Sequence, residues 1–159
     1  MQHMKILMDA DCLIKLTKSN LKEVICKNFS VIIPQLVKEE IVDNAKGHPD
    51  AAVIQKNLER KLITLHKSHS PFKKGEDAVF TIFQQGDYDA IGSDDKRFIK
   101  RLRIFNIPYI TPAVFIAILF KNGKLTIPEA MEKLDSLSPF VSAEEYSAMK
   151  AILGSWRNT

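Results

Sequence analysis

The sequence has few cysteines, no long apolar run and no strong excess of charge of either sign. Cys12 and Cys26 lack the spacing of metal ligands and are too few for a disulfide framework, which favours a reducing, cytoplasmic setting. The longest apolar run, residues 113–120, is too short to span a bilayer, and we expect neither a signal peptide nor membrane association. The net charge of +4 permits an anionic partner but does not require one.

Short apolar runs alternate with longer helical patterns along the 159 residues. The runs predict strands at residues 6–8, 31–33, 62–65, 90–91 and 109–110. Helices are predicted from residue 12 onward, at 35–46, 50–60, 75–86, 95–105 and 113–122, and after the capping residues Thr126 and Ser142. This alternation is typical of a parallel sheet covered on both faces. We therefore expect one three-layer α/β/α domain over residues 4–155.

Acidic residues follow two of the predicted strands. Asp9 closes the first strand, and Asp94 and Asp95 follow the fourth. Ligands of open parallel sheets bind outside the carboxyl ends of the strands, so these side chains are expected at one rim. An aspartate there is also a good helix cap, but two in a row need only one cap. The pattern does not separate Asp94 from Asp95.

Two glutamates fall on the apolar faces of their predicted helices, at about 100° per residue. Glu40 shares a face with the apolar residues of the helix after Pro34, whereas Glu39 points to solvent. Glu76 lies on the apolar stripe of the next helix but one, with Asp77 at its flank. Both glutamates stand near helix N-termini, and these ends abut the rim that carries the aspartates.

Converging carboxylates repel one another and raise each other's proton affinity unless a cation neutralises them. Mg²⁺ or Mn²⁺ suits such a set, because both prefer oxygen ligands in octahedral geometry. The ion keeps several waters, which leaves room for a substrate phosphate. The acidic set therefore favours metal-assisted phosphodiester chemistry.

Four segments together resemble the motifs of PIN domains, the fold of many small ribonucleases, including VapC-type toxins. They are residues 6–11, 33–41, 75–78 and 92–97, and the resemblance covers residues 4–153. It implies a single PIN-like domain that uses Mg²⁺ or Mn²⁺ to cleave RNA. The catalytic residues it implies are Asp9, Glu40, Glu76 and Asp95, and the metal ligands are Asp9, Glu76, Asp94 and Asp95, with Asp95 favoured over Asp94 for the conserved role.

Three further residues are possible additions to this site: Asp11, Asp77 and Ser93. Asp11 stands where the family commonly has a small polar residue, and it either joins the metal site or caps the following helix. The family often has another acid on the helix of the third motif. Here either Asp77 takes that role or this further acid is absent. Ser93 is a candidate hydrogen-bond donor to a ligand or phosphate.

Basic residues flank the acidic set in two groups. Lys96, Arg97 and Lys100 lie on the helix that follows the aspartate pair, and Lys73 and Lys74 precede Glu76. Such charges can contact the phosphates of a nucleic acid, and binding through them weakens as salt rises. We therefore predict RNA as the partner of this face, and the resemblance also implies a possible antitoxin protein and a homodimer.

Two rival functions remain open. Asp9-Ala10-Asp11 after a strand is also typical of haloacid-dehalogenase-like phosphohydrolases, although the hydroxyl residue usual further along that loop is missing. The other rival is a non-catalytic PIN-like module that binds RNA or protein. The missing second acid of the third motif is its main support.

Overall fold

A parallel sheet forms the centre of the computed structural model, which describes residues 3–43, 49–60, 62–67 and 74–156. Within these residues the strands are β1 (Lys5–Met8), β2 (Ser30–Pro34), β3 (Ile63–His66), β4 (Ala90–Gly92) and β5 (Tyr109–Ile110). Their order is β3-β2-β1-β4-β5, and every neighbouring pair is parallel. The strands lie where the short apolar runs predicted them.

Helices connect the strands and flank the sheet. They are α1 (Ala10–Lys18), α2 (Lys22–Asn28), α3 (Gln35–Lys38), α4 (Pro49–Glu59), α5 (Gly75–Gln85), α6 (Lys96–Ile104), α7 (Pro112–Lys121), α8 (Ile127–Leu137) and α9 (Ala143–Trp156). A short 3₁₀ helix, Ser138–Phe140, follows α8. The predicted α/β fold with a central parallel sheet is confirmed.

Strand β1 lies at the middle of the sheet, between β2 and β4, and its residues Ile6, Leu7 and Met8 are fully buried. Met8 is paired with Gly92 of β4. A Cβ on Gly92 would lie 3.2 Å from the Met8 side chain, so the glycine allows this close approach. The carboxyl ends of β1 and β4 therefore meet side by side at the centre of the rim.

The helix predicted over residues 35–46 differs from the observed one. It is α-helical only through Lys38 and continues as a π-helix over Glu39–Asp43, while residues 44–46 lie outside the described part of the chain. A π turn closes its hydrogen bonds five residues apart rather than four, so the rule of 100° per residue does not apply there. The helical signal from residue 12 also divides, because Asn20 adopts a left-handed φ of 60° between α1 and α2.

Helix α7 is apolar on nearly all sides, and the structure buries it within its own chain. Phe115, Ile116 and Leu119 are fully buried, and α8 and α9 pack against this helix. In the described ranges no helix combines the length and the apolarity that a membrane crossing requires.

Candidate active site

Asp9 is the buried carboxylate at the end of β1, with 7% of its surface exposed. Its Oδ1 accepts a hydrogen bond of 2.9 Å from the Cys12 amide and so caps α1. Its Oδ2 accepts a hydrogen bond of 2.5 Å from the Ser93 hydroxyl. Burial raises the pKa of Asp9 to about 7, the charges of Asp11 and Asp95 add to this rise, and the two hydrogen bonds oppose it.

The loop between β4 and α6 carries the second set of acids. Ser93, fully buried, donates to Asp9, and its Oγ accepts a hydrogen bond of 3.2 Å from the Asp95 amide. Asp95 caps α6, because its Oδ1 accepts a hydrogen bond of 2.9 Å from the Phe98 amide. One carboxylate oxygen of Asp95 is thereby engaged by the helix end.

Asp94 pairs with Lys15 on α1 and, unlike Asp95, does not line the cleft described below. Its Oδ2 lies 2.5 Å from the Nζ of Lys15 on α1, and both side chains are largely covered. Burial lowers the pKa of Lys15, but the hydrogen bond and the charge of Asp94 outweigh it, so the pKa is raised overall. The structure thus distinguishes two neighbouring aspartates that the sequence pattern left equivalent.

Glu40 reaches across to the start of α5. Its Oε1 accepts a hydrogen bond of 2.6 Å from the Gly75 amide. A Cβ on Gly75 would lie 2.9 Å from both carboxylate oxygens of Glu40, so the flexible end of the glutamate would have to shift. Gly75 therefore allows the glutamate of one motif to dock on the backbone that directly precedes Glu76. Glu39 has its Oε1 3.5 Å from the Gln35 side-chain amide. The prediction that Glu39 points to solvent is wrong, because Glu39 is half-buried and Glu40 is the exposed one of the two.

Five carboxylates line one small cleft of ≈ 110 Å³ at the carboxyl ends of β1 and β4: those of Asp9, Asp11, Glu40, Glu76 and Asp95. Burial raises the pKa of Glu76, and the nearby charge of Asp95 raises it further. The structure thus brings together the four residues predicted as catalytic, and it adds Asp11. Electrostatic repulsion within this set would be relieved by a bound cation.

The donor set of the cleft suits Mg²⁺ or Mn²⁺ chemically, because every ionisable side chain that lines it is a carboxylate. Among the described residues, no three acidic, His or Cys side chains form a ready-made group of ligands for one ion. Mg²⁺ does not need one, because it commonly keeps several waters and binds through one or two carboxylates. An open, hydrated site fits these residues better than a closed cage.

The other predicted site residues lie around the cleft or beyond it. Asp77 accepts a hydrogen bond of 2.9 Å from Arg101 on α6 and does not line the cleft. Lys96, Arg97 and Lys100 are exposed on α6, and Lys74 is exposed just before α5. Lys73 lies outside the described residues.

Sequence reasoning missed Lys15 and Glu145. Lys15 stands four residues after Asp11 on α1, a spacing that places the two on one helix face. This spacing is the only feature of the sequence that indicates a place for Lys15 near the site. Glu145, from α9, lies near the pair of Lys15 and Asp94, and its Oε2 is buried without a hydrogen-bond partner. Burial raises the pKa of Glu145, a hydrogen bond with Thr111 opposes this, and the charge of Asp94 adds to it.

A family model described as a PIN domain matches residues 5–155. The matched range contains β1 to β5 and all five carboxylates that line the cleft. No curated protein matches the chain.

Proposed function

Because the chain belongs to the PIN-domain family, we propose that it is a ribonuclease that hydrolyses RNA phosphodiester bonds with Mg²⁺ or Mn²⁺. PIN domains are generally nucleases that use divalent metal ions. The observation that carries the proposal is the convergence of five carboxylates on one cleft, around the buried Asp9. Carboxylates of this kind serve two-metal nucleases as ligands.

We assign the chemistry to the cleft residues as follows. Asp9 is the central ligand, held in place by the Cys12 amide and the Ser93 hydroxyl. Glu76 and Asp95 are the flanking ligands. Glu40, which accepts a hydrogen bond from the Gly75 amide, would interact with the ion through water. A divalent ion bound here would activate a water and stabilise the leaving oxygen of the phosphodiester. Asp94 is not a ligand in this assignment, because Lys15 neutralises it.

The test is cleavage of a fluorescently quenched RNA by purified protein with and without Mn²⁺. We expect cleavage by the wild type with Mn²⁺ and none with EDTA. Asp9→Asn is expected to abolish cleavage and to weaken Mn²⁺ binding measured by calorimetry. Asp87→Asn, at an exposed position, is the matched control and should leave both unchanged. No cleavage by the wild type at high concentration, together with unaltered Mn²⁺ binding by Asp9→Asn, would refute the proposal.

A non-catalytic PIN-like module is the second candidate. It is favoured by the lack of a ready-made three-ligand group among the described residues. Binding of Mn²⁺ and RNA without cleavage would select it. The family match disfavours the haloacid-dehalogenase-like alternative, although Asp11 does line the cleft with Asp9. Turnover of p-nitrophenyl phosphate, or an aspartyl-phosphate trapped at Asp9, would revive that alternative.

The biological setting is a further part of the proposal. We propose a homodimer in the cytoplasm that acts either as the toxin of a toxin–antitoxin pair or in RNA processing. Light scattering of the purified protein tests the dimer. Growth arrest on expression, relieved by co-expression of a neighbouring small protein, tests the toxin setting, and arrest should require Asp9.

A further inference from the structure

Helix α6 carries an unusual concentration of positive charge. Five of its nine residues are Lys or Arg and none is acidic: Lys96, Arg97, Lys100, Arg101 and Arg103. Lys96 with Lys100, and Arg97 with Arg101, are like-charge pairs four residues apart. Each such pair destabilises a helix by about 0.2–0.5 kcal/mol. Arg101 is paired with Asp77 and Arg103 with Tyr109, and the single sign of the remaining charges suits an anionic ligand.

Two exposed apolar residues follow these charges at the end of the helix. Ile104 is 77% exposed and Phe105, which directly follows α6, is 54% exposed. Residues four apart share one helix face, so Ile104 continues the row of Lys96 and Lys100. Phe105 likewise continues the row of Arg97 and Arg101. Along each row, starting at the end of α6 next to Asp95, two basic residues are therefore followed by one apolar residue.

Contacts with α5 hold the second row in place. Arg101 donates a hydrogen bond of 2.9 Å to Asp77, and its guanidinium carbon lies 4.0 Å from the ring centroid of Phe80. Phe105 packs edge to face on the same Phe80 ring, with centroids 5.1 Å apart. Arg101 and Phe105 are thus fixed around one buried ring, although Phe105 keeps more than half of its surface exposed.

We propose that α6 is a track for single-stranded RNA, which runs from the carboxylate cleft at Asp95 to a base stacked on Phe105. The inference rests on the proposed ribonuclease function and adds the path and the extent of the strand on the protein surface. Phosphates would bind Lys96, Arg97 and Lys100, and the exposed ring would receive an unpaired base. Aromatic stacking of this kind needs bases that are splayed out of a duplex.

The length of α6 sets the extent of the track. From Asp95 to Phe105 the helix rises by about 15 Å, at 1.5 Å per residue. At the 3.4 Å rise of a stacked strand, this accommodates about four nucleotides. We therefore expect binding to strengthen with RNA length up to about four nucleotides on one side of the scissile phosphate, and little thereafter.

The test is fluorescence anisotropy in EDTA with a labelled eight-nucleotide single strand and a labelled twelve-base-pair RNA duplex. Stacking of a base on an aromatic ring contributes about 1–3 kcal/mol, so Phe105→Ala should weaken single-strand binding by about 5- to 150-fold. Duplex binding should be unchanged. Phe105→Tyr should bind like the wild type, and Phe105→Leu, which keeps an apolar contact with Phe80, should bind like Phe105→Ala.

Charge variants test the phosphate contacts separately. Lys100→Gln should weaken binding of both RNAs and reduce the slope of log K against log salt by about 1. Lys124→Gln, at an exposed position after α7, is the matched control and should leave the slope unchanged. Equal single-strand binding by Phe105→Leu and the wild type, or equal slopes for both lysine variants, would overturn the track.

A ribonuclease, an RNA track along α6 and a protein interface at its apolar end each predict a different set of outcomes. Binding in EDTA does not require cleavage, so Phe105-dependent binding without any nuclease activity refutes only the ribonuclease. If the protein cleaves RNA but its single-strand binding does not depend on Phe105, only the track is refuted. If Phe105→Leu and Ile104→Gln instead lower the mass measured by light scattering and spare RNA binding, the apolar end is a protein interface and the track is wrong.

Discussion

The buried carboxylate of Asp9 makes a quantitative prediction about the metal-free protein. Its pKa rises from 3.8 to about 7 on folding, mainly because of burial, and each pKa unit is worth about 1.4 kcal/mol. Keeping Asp9 ionised at pH 8 therefore costs up to about 4 kcal/mol of folding free energy. Asn resembles the protonated carboxyl and keeps an oxygen for the Cys12 amide, so Asp9→Asn should stabilise the metal-free protein by up to this amount.

The pH dependence of this gain follows from the direction of the shift. The folded state binds the Asp9 proton more tightly than the unfolded state, so the wild type loses stability as pH rises from about 4 to 7. Below that window Asp9→Asn and the wild type should be equally stable, and above it the difference should be constant. Between pH 5 and pH 8 the difference should widen by about 2.5 kcal/mol, with Asp9→Asn the more stable.

Urea denaturation in EDTA, at pH 5 and at pH 8, measures this difference, and Asp87→Asn controls for removal of an exposed carboxylate. A gain of 2–4 kcal/mol corresponds to a rise in Tm of roughly 5–10 °C for a chain of this size. Mn²⁺ should narrow the difference at pH 8, because an ion at 100 times its Kd stabilises the folded wild type by about 2.7 kcal/mol. A stability difference that does not change with pH would refute the account of Asp9 as a carboxylate strained by burial.

Two further predictions concern the supports of the site, and a third concerns a helix cap. Gly75→Ala would place a Cβ 2.9 Å from both Glu40 oxygens, so it should break their hydrogen bond and weaken Mn²⁺ binding, measured by calorimetry; unchanged affinity would show that Glu40 does not depend on Gly75. Lys15→Met leaves Asp94 covered without its cation and should lower stability by about 1–3 kcal/mol in urea, an effect that Asp94→Asn in the same chain should partly relieve. Thr126→Ala removes the capping box of α8 and should lower stability by about 1 kcal/mol without changing Mn²⁺ binding, whereas Thr126→Ser should retain the wild-type value.

Much of the fold could be predicted because its signals are local. Short apolar runs mark the strands, and β1 is apolar and buried from Ile6 to Met8, as a central parallel strand should be. The place of Asp9 at the end of β1 then follows from topology alone. The π turn at Glu39–Asp43 carries no comparable local signal, so the α-helical expectation failed there.

The sequence predicts which segments meet at the site, but it does not predict which carboxylates face the cleft. Asp94 and Asp95 are neighbours of the same type, and their roles separate only because Lys15 captures Asp94 from a position 79 residues earlier in the chain. Likewise, Gly75 looked like a helix start, whereas the structure shows it as the contact that receives Glu40. Interactions between residues so distant in sequence leave no periodic pattern in a single chain.

The central position of β1 has a consequence for synthesis of the protein. Its first neighbour, β2, is made soon afterwards, but the other neighbour, β4, begins at Ala90, and the Ser93 that holds Asp9 follows it. Until those residues have been synthesised, Asp9 lacks the neighbouring strand β4 and its hydrogen bond from Ser93, and the chain does not yet contain Asp95. A nuclease with this strand order would therefore be harmless to the message that encodes it until the segment from Ala90 to Asp95 has been made.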